Sequence, residues 1–335
     1  IFSENKSSAL NINDEFILSG GFDIIPDNNN NFFILSYNND HTESLITYYD
    51  STASDENKIC HLTNPFTNKK SILEYKYDNA VFINNALYIS KIDNLKRTLN
   101  IEKYMISNKY LMLTDTSTVS INSNSNNQSF AVANCDGTDR VFLISNDLSS
   151  IEIYSFSNGM KLDDTLSKDN LSFSSLKVDP SSMYLYAITT YNKIVRFDLS
   201  KLFESDSEIL DIDDLPSSFQ FLSDNVFIDT LGNVYILNQS DFTIDSSFNV
   251  VEDEFYNCAC ILGENKSTLL NKDSNTIINC FDLYNSNLVG NITLSDKILK
   301  LSTSGTTTIA ITESNNKKYI QTLDTSDIEE ISPPP

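Results

Sequence analysis

The stretch 173–199, FSSLKVDPSSMYLYAITTYNKIVRFDL, carries three consecutive strands. An alternating run ends at Val178, Asp179 and Pro180 form a turn, a second run spans 183–188, and a third, 193–199, closes on Phe197 and Asp198. Period-two alternation of β-branched and aromatic residues marks strands. Pro presets φ and Asp bonds the local backbone, so the joint between the first two runs is a hairpin turn.

The same order recurs outward in both directions. Residues 20–50, GGFDIIPDNNNNFFILSYNNDHTESLITYYD, place Pro26 and Asp27 at the first turn, and 130–156, FAVANCDGTDRVFLISNDLSSIEIYSF, place Asp136 and Gly137 there. The closing phrase returns seven times, as LITYYD, LYISKID, IEIYS, IVRFD, VYILN, INCFD and YIQTLD. Its last positions are Asp50, Asp93, Ser155, Asp198, Asn238, Asp282 and Asp324, at intervals of 43, 62, 43, 40, 44 and 42. A weaker polar run, such as SEILDI (207–212) or FTIDSS (242–247), follows a closing strand and suits an outer, solvent-facing edge. Four short strands at a period near 40 are the signature of a β-propeller, whose blades cannot bury their faces alone. The expectation is an all-β, seven-bladed propeller of four-stranded blades over 1–330, preceded by a segment with strand character of its own at 9–21, ALNINDEFILSGG.

The closing strands resemble those of the WD40 family, which end in a Trp-Asp pair. Tyr49-Asp50, Phe197-Asp198 and Phe281-Asp282 keep an aromatic before the acid, whereas Ile92-Asp93 and Leu323-Asp324 keep an aliphatic. Tyr154-Ser155 and Leu237-Asn238 lose the acid. The chain has no Trp, and neither His41 nor His61 sits in a Gly-His pair, so the family's tetrad of His, Asp, Ser/Thr and Trp cannot form. The resemblance implies that Phe197, Phe281 and Tyr154 are buried between blades and that an N-terminal strand completes the last one.

The 62-residue interval holds about 20 residues beyond the repeat. They coincide with an apolar hairpin and an Asn/Ser tract in 98–129, TLNIEKYMISNKYLMLTDTSTVSINSNSNNQS, read as an insertion of about 95–129 after the second blade. Pro333, Pro334 and Pro335 read as the opening of a Pro-rich linker, 331–335, and the expectation is a domain of a longer protein.

Composition narrows the function. Net charge is −23 and the pI about 4.3, which opposes direct binding to nucleic acid or anionic membrane. A basic protein partner is complementary to that charge; keeping a large β-protein soluble is the other reading. Five cysteines without framework spacing favour a reducing compartment, nuclear or cytoplasmic. No apolar run reaches the length of a membrane span.

Catalytic signatures are absent: two histidines, no Gly-x-Ser-x-Gly and no His-Glu-x-x-His. LGENKST (262–268) ends like a phosphate loop but lacks its first Gly, and reads as an a-to-b turn of the sixth blade. DIDDLPSS (211–218) lacks the third ligand and the Gly of a calcium loop. Cys258 and Cys260 share a strand face, with Cys280 nearby, yet no fourth zinc ligand is visible, so they read as core thiols. No cofactor or metal is expected.

The remaining signal is a rim of acids in the d-to-a connections: Asp169, then Asp213 and Asp214, then Glu252, Asp253 and Glu254, with Asp147, Asp273 and Glu313 in b-to-c connections. The functional expectation is a non-catalytic protein-interaction scaffold, a propeller subunit or N-terminal domain of a larger eukaryotic assembly. The alternative is an acidic escort for a basic client such as a ribosomal protein or histone.

Overall fold

The computed structural model describes residues 10–11, 21–121, 129–156, 159–168, 170–191, 193–203, 207–210, 219–250, 256–261, 267–272, 276–282, 287–323 and 329–330. Within them regular structure is strand, apart from single 3-10 turns at Asp55–Asn57 and Leu199–Lys201. The strands form seven antiparallel sheets, whose strands are lettered a to d here.

The first sheet is Phe22–Pro26, Phe32–Tyr37 and Ser44–Tyr49, with Ile59–His61 and Ile72–Leu73 sharing the outer position. The second is Asn79–Ile83, Ala86–Asp93, Thr98–Ser107 and Tyr110–Ser120. The third is Phe130–Cys135, Thr138–Ile144, Ser150–Phe156 and Met160–Ser167, and the fourth Phe173–Val178, Tyr184–Thr189, Ile194–Asp198 and Ser207–Leu210. Phe219–Ser223, Val226–Asp229, Asn233–Asn238 and Thr243–Asn249 make the fifth. The sixth runs Tyr256–Ile261, Ser267–Lys272, Ile277–Asp282 and Leu288–Thr293, with Glu329–Glu330 added outside. In the seventh, Lys297–Ser304, Thr307–Ser314 and Lys317–Leu323 are completed by Leu10–Asn11, which pairs Leu10 with Ile320 and Asn11 with Tyr319. The expected N-terminal strand is therefore the fourth strand of a sheet otherwise made at the other end of the sequence.

Two compact units divide the chain. One comprises Ile1–Lys76, Leu231–Val234 and Ser247–Pro335, the other Tyr77–Thr230 and Tyr235–Ser246. In the second unit, burial on both sheet faces explains why the b strands read as continuous apolar runs rather than simple alternation. Leu185 and Ala187 of the fourth sheet enter a seam with Phe142 and Ile144 of the third, while Tyr186 and Ile188 turn the other way toward Phe219 and Phe227 of the fifth. Val141 and Leu143 face Tyr88 and Ile101 of the second sheet. In the first unit, Phe32, Ile34 and Tyr49 pack with Ile309, Ile311 and Ile320, and Ile278 and Cys280 with Ile298 and Ala310.

The 98–120 hairpin is not an insertion. Thr98–Ser107 and Tyr110–Ser120 are the c and d strands of the second sheet, and the LYISKID phrase lies in its b strand. The closing acid explains the misreading. Asp50 Oδ1 accepts the Thr52 amide at 3.0 Å, Asp198 Oδ1 the Ser200 amide at 2.9 Å and Asn238 Oδ1 the Ser240 amide at 2.9 Å, each capping the turn after a c strand. Asp93 caps Leu95 and Lys96 in the same manner, but after a b strand. The side chain is selected by the turn, not by the strand's place in the sheet. The 122–128 tract, closing Asp324 and the 331–335 segment lie outside the described residues.

Phe197 is 1% exposed in the seam between the third and fourth sheets, as expected. Tyr154 is half-buried against the seam of the second and third. Phe281 departs from expectation: it is half-buried, and Cys280, on the other side of a register shift, takes the core position.

Candidate functional site

All six acids of the expected binding rim, Asp169, Asp213, Asp214, Glu252, Asp253 and Glu254, lie outside the described residues, as does Asp273. In chain order, 169 falls between the strands of the third and fourth sheets, 213–214 between those of the fourth and fifth, and 252–254 between those of the fifth and sixth. Of the b-to-c acids, Asp147 is described. Its carboxylate accepts Ser145 Oγ at 2.7 Å and the Ser149 amide at 3.1 Å, which hold it down at about 2. Glu313 instead lies within the b strand of the seventh sheet, paired with Lys297 and Lys318.

Sequence reasoning missed three carboxylates gathered at the a-to-b hairpins. In the first unit Asp27, 8% exposed, accepts the Asn29 and Asn31 amides at 2.7 and 3.0 Å, Asn31 Nδ2 at 3.0 Å, Tyr48 OH at 3.3 Å and Ser304 Oγ of the seventh sheet at 3.1 Å. In the second unit Asp139 accepts Tyr88 OH at 2.7 Å, Asn84 Nδ2 and Asn134 Nδ2 at 2.9 Å each, and Lys103 Nζ at 3.5 Å. Burial alone would push the Asp139 carboxyl up; the Asn134, Tyr88 and Asn84 bonds and the Lys103 charge outweigh it, so its pKa falls. Asp179 accepts the Tyr184 amide at 2.9 Å and Ser181 Oγ at 3.0 Å, and its pKa rises, through burial first and the nearby Asp224 charge second. Asp224 takes the Ser181 amide at 2.7 Å, tying the fifth sheet's hairpin to the fourth's. Tyr48 and Tyr88 are pushed well above the usual phenol range, by burial and by the carboxylates they donate to. These groups are saturated by hairpin and inter-sheet bonds, so their chemistry is cohesion. A phenol so raised does not titrate near neutral pH.

The local donors, Asn29 and Asn31 to Asp27, Asn134 to Asp139, and Ser181 and Tyr184 to Asp179, lie within five residues, whereas the inter-sheet donors could have been sought only by pairing distant positions. Asn84, Tyr88 and Lys103 lie 36 or more residues from Asp139, as Ser304 lies 277 from Asp27. Among the described residues no group of three or more His, Cys, Asp or Glu side chains is placed to hold a metal. Cys280 is a buried thiol, and 262–266 lies outside the described residues, between the paired strands Tyr256–Ile261 and Ser267–Lys272 in chain order.

The second sheet's outer strand carries a run of exposed apolar side chains. Asn108 and Lys109, at φ 48 and 68, make the tight turn that launches Tyr110–Ser120 back along Thr98–Ser107. The ladder shifts between Leu113 and Asp115, leaving Thr114 unpaired with its Oγ1 on Lys103 O at 3.0 Å. The far half is tethered to the third sheet, since Asp115 accepts the Gly159 amide at 3.0 and 2.9 Å and Ser117 Oγ the Met160 amide at 3.1 Å. The near half, 110–114, presents Tyr110, Met112 and Leu113 at 41, 40 and 50% exposure.

Successive four-stranded antiparallel sheets, with core seams between sequential neighbours and a fourth strand borrowed from the N-terminus, define a β-propeller. Among solved structures, the WD40 beta propeller domain of Doa1 is similar, with a TM-score of 0.55 and 14% identity over 96% of this chain and 97% of that one. Raptor of Chaetomium thermophilum is also similar, with a TM-score of 0.59 and 12% identity over 95% of this chain. The present chain spans 30% of the Raptor chain. No family-wide sequence pattern matches, and no curated protein matches. Among the described residues no helix is long and apolar enough to cross a membrane.

Proposed function

We propose that this propeller is a non-catalytic protein-interaction scaffold, a subunit or domain of a larger assembly, whose partners present basic segments to the acidic d-to-a connections. One observation carries the reading. Connections 211–218 and 250–255 hold Asp211, Asp213, Asp214, Glu252, Asp253 and Glu254 and no Lys or Arg, between strands that fix both as neighbours in chain order. The buried acids Asp27, Asp139 and Asp179 are already engaged in cohesion, which leaves surface carboxylates for recognition. Similarity of fold to the Doa1 domain supports the scaffold by analogy only. A nuclear or cytoplasmic setting belongs to the same proposal.

The test is charge reversal at Asp213, Asp214, Glu252, Asp253 and Glu254 together. Partners are first recovered by affinity purification, and association is then followed at several salt concentrations. The variant should associate more slowly, with a flatter salt dependence, because rim charges chiefly set the encounter rate. Undiminished association by a folded variant would overturn the reading. A client released wholly by moderate salt would favour the escort over the scaffold.

A further inference from the structure

We propose that the 62–71 loop of the first sheet is a docking key, a rigid turn that seats the Phe66 ring in an apolar pocket of a partner protein whose pocket rim is acidic. The loop, LTNPFTNKKS, leaves the outer position of its sheet between Ile59–His61 and Ile72–Leu73, both of which pair with Ser44–Tyr49. Leu62, fully buried, is its one contribution to the core. At its apex Phe66 is 84% exposed. A lone exposed apolar side chain is ordinary on a protein surface, so exposure alone assigns nothing.

The second observation is how firmly the backbone beneath the ring is held. Asn64 Oδ1 accepts the Phe66 amide at 2.8 Å and the Thr67 amide at 3.3 Å, while Asn64 O accepts the Asn68 amide at 2.8 Å. Asn and Pro are the favoured first and second residues of such a turn, Asn for this side-chain cap and Pro for its preset φ. Below the turn the Asn64 amide donates to Lys69 O at 2.9 Å, Thr63 bridges Lys70, and the Ser71 amide donates to Leu62 O at 2.8 Å. The loop is thus laddered from its base to its tip, and what the ladder presents is an aromatic ring that the core does not use. Because the turn is ordered before binding, a partner need not order it. A rigid aromatic with two side-chain torsions is the kind of residue on which binding energy concentrates.

Charge identifies the occupant. Residues 62–73 carry Lys69 and Lys70, both exposed, and no acid, in a chain of net charge −23. A pocket rimmed with carboxylates is attracted to this loop and repelled by the acidic remainder of the surface, which confines it to the one place where the ring is offered. Two copies of this chain, each at −23, repel one another, so the occupant is a different protein. This extends the scaffold reading with a second docking point, on another sheet and of opposite charge to the acidic connections.

The full chain and its Phe66→Ala variant are used side by side as bait in a lysate of its own cells, and the protein whose recovery depends on Phe66 is then purified and titrated. Its affinity for Phe66→Ala should be lower by about thirtyfold or more, while the variant melts like the parent. The chain has no Trp, so Phe66→Trp turns the loop into its own reporter: emission should move to the blue as the indole leaves water for the pocket. Lys69→Glu with Lys70→Glu should slow association and remove most of its salt dependence. Asn64→Ala frees the turn and should weaken binding less than Phe66→Ala, with no further effect once Phe66 is Ala, the coupling expected of a positioning residue. The proposal is overturned if no protein depends on Phe66 for its recovery, or if the purified partner is indifferent to Phe66→Ala or to the lysine reversals. Unmoved emission on binding, or a Phe66-dependent dimer of the chain in sedimentation velocity, would overturn it equally. These variants leave the acidic connections intact, so failure here is separate from failure of the scaffold reading.

Discussion

Asp139 of the third sheet and Asp179 of the fourth flank equivalent a-to-b hairpins on either side of one apolar seam, yet their carboxyls shift in opposite directions. Both pay the same kind of desolvation. Asp139 collects three side-chain donors and an ammonium, most of them from the neighbouring second sheet. Asp179, 2% exposed, has local donors from its own hairpin and a second carboxylate nearby. Whether a buried acid stabilises a hairpin end is thus decided by who donates to it, and the donor supply differs sheet by sheet.

The seam on which both hairpins rest gives the largest expected effect. Phe197→Ala should cost about 3–5 kcal/mol in chemical denaturation, and the register of the closing strands would be wrong if it melted like the parent. Asp139→Ala comes next, at roughly 3 kcal/mol, because it strands Tyr88, Asn84 and Asn134 as well as removing a charge. Tyr88→Phe removes one bond to a charged acceptor and should cost about 1.5 kcal/mol, whereas Asp179→Asn should stabilise at neutral pH by less than about 1 kcal/mol.

The sharpest contrast between the two acids is their pH dependence. The folded Asp139 pKa lies below its unfolded value of about 3.9, so its contribution is present above that value and lost as pH falls through the folded one. The folded Asp179 pKa lies above the unfolded value, so its ionised form is a penalty at neutral pH that is relieved as pH falls through the raised value. Asp139→Asn should therefore be most damaging at neutral pH and converge on the parent in acid. Asp179→Asn should be most favourable at neutral pH, its advantage shrinking in acid. Parallel curves for the two variants would erase the distinction.

The hairpin turns and most of the strand order were legible in the sequence, because period-two alternation and turn residues act locally, while the borrowed N-terminal strand was an expectation from the family resemblance. The phase of the second sheet was not. Asp93 ends a b strand with the side chain that elsewhere ends a c strand, since an Asx cap responds to the next two amides alone. The replacement for the missing Trp was partly legible: Phe197 takes a core position, while Cys280 rather than Phe281 does so in the sixth sheet. The Asp139 knot was illegible, because three of its donors, Asn84, Tyr88 and Lys103, come from positions that only the packed sheets bring together.

Leu10–Asn11 pairing with Lys317–Leu323 has a temporal consequence. The Leu10–Asn11 strand is synthesised some 300 residues before its partner, so the seventh sheet closes a loop of about that length. Loop-closure entropy grows only logarithmically with length, so the finished sheet loses little by this. The rate of reaching it is another matter, since non-local pairing slows folding. Until the Lys317–Leu323 strand arrives, the Leu10–Asn11 strand has no ladder to join, and the seventh sheet is completed only after both have been made.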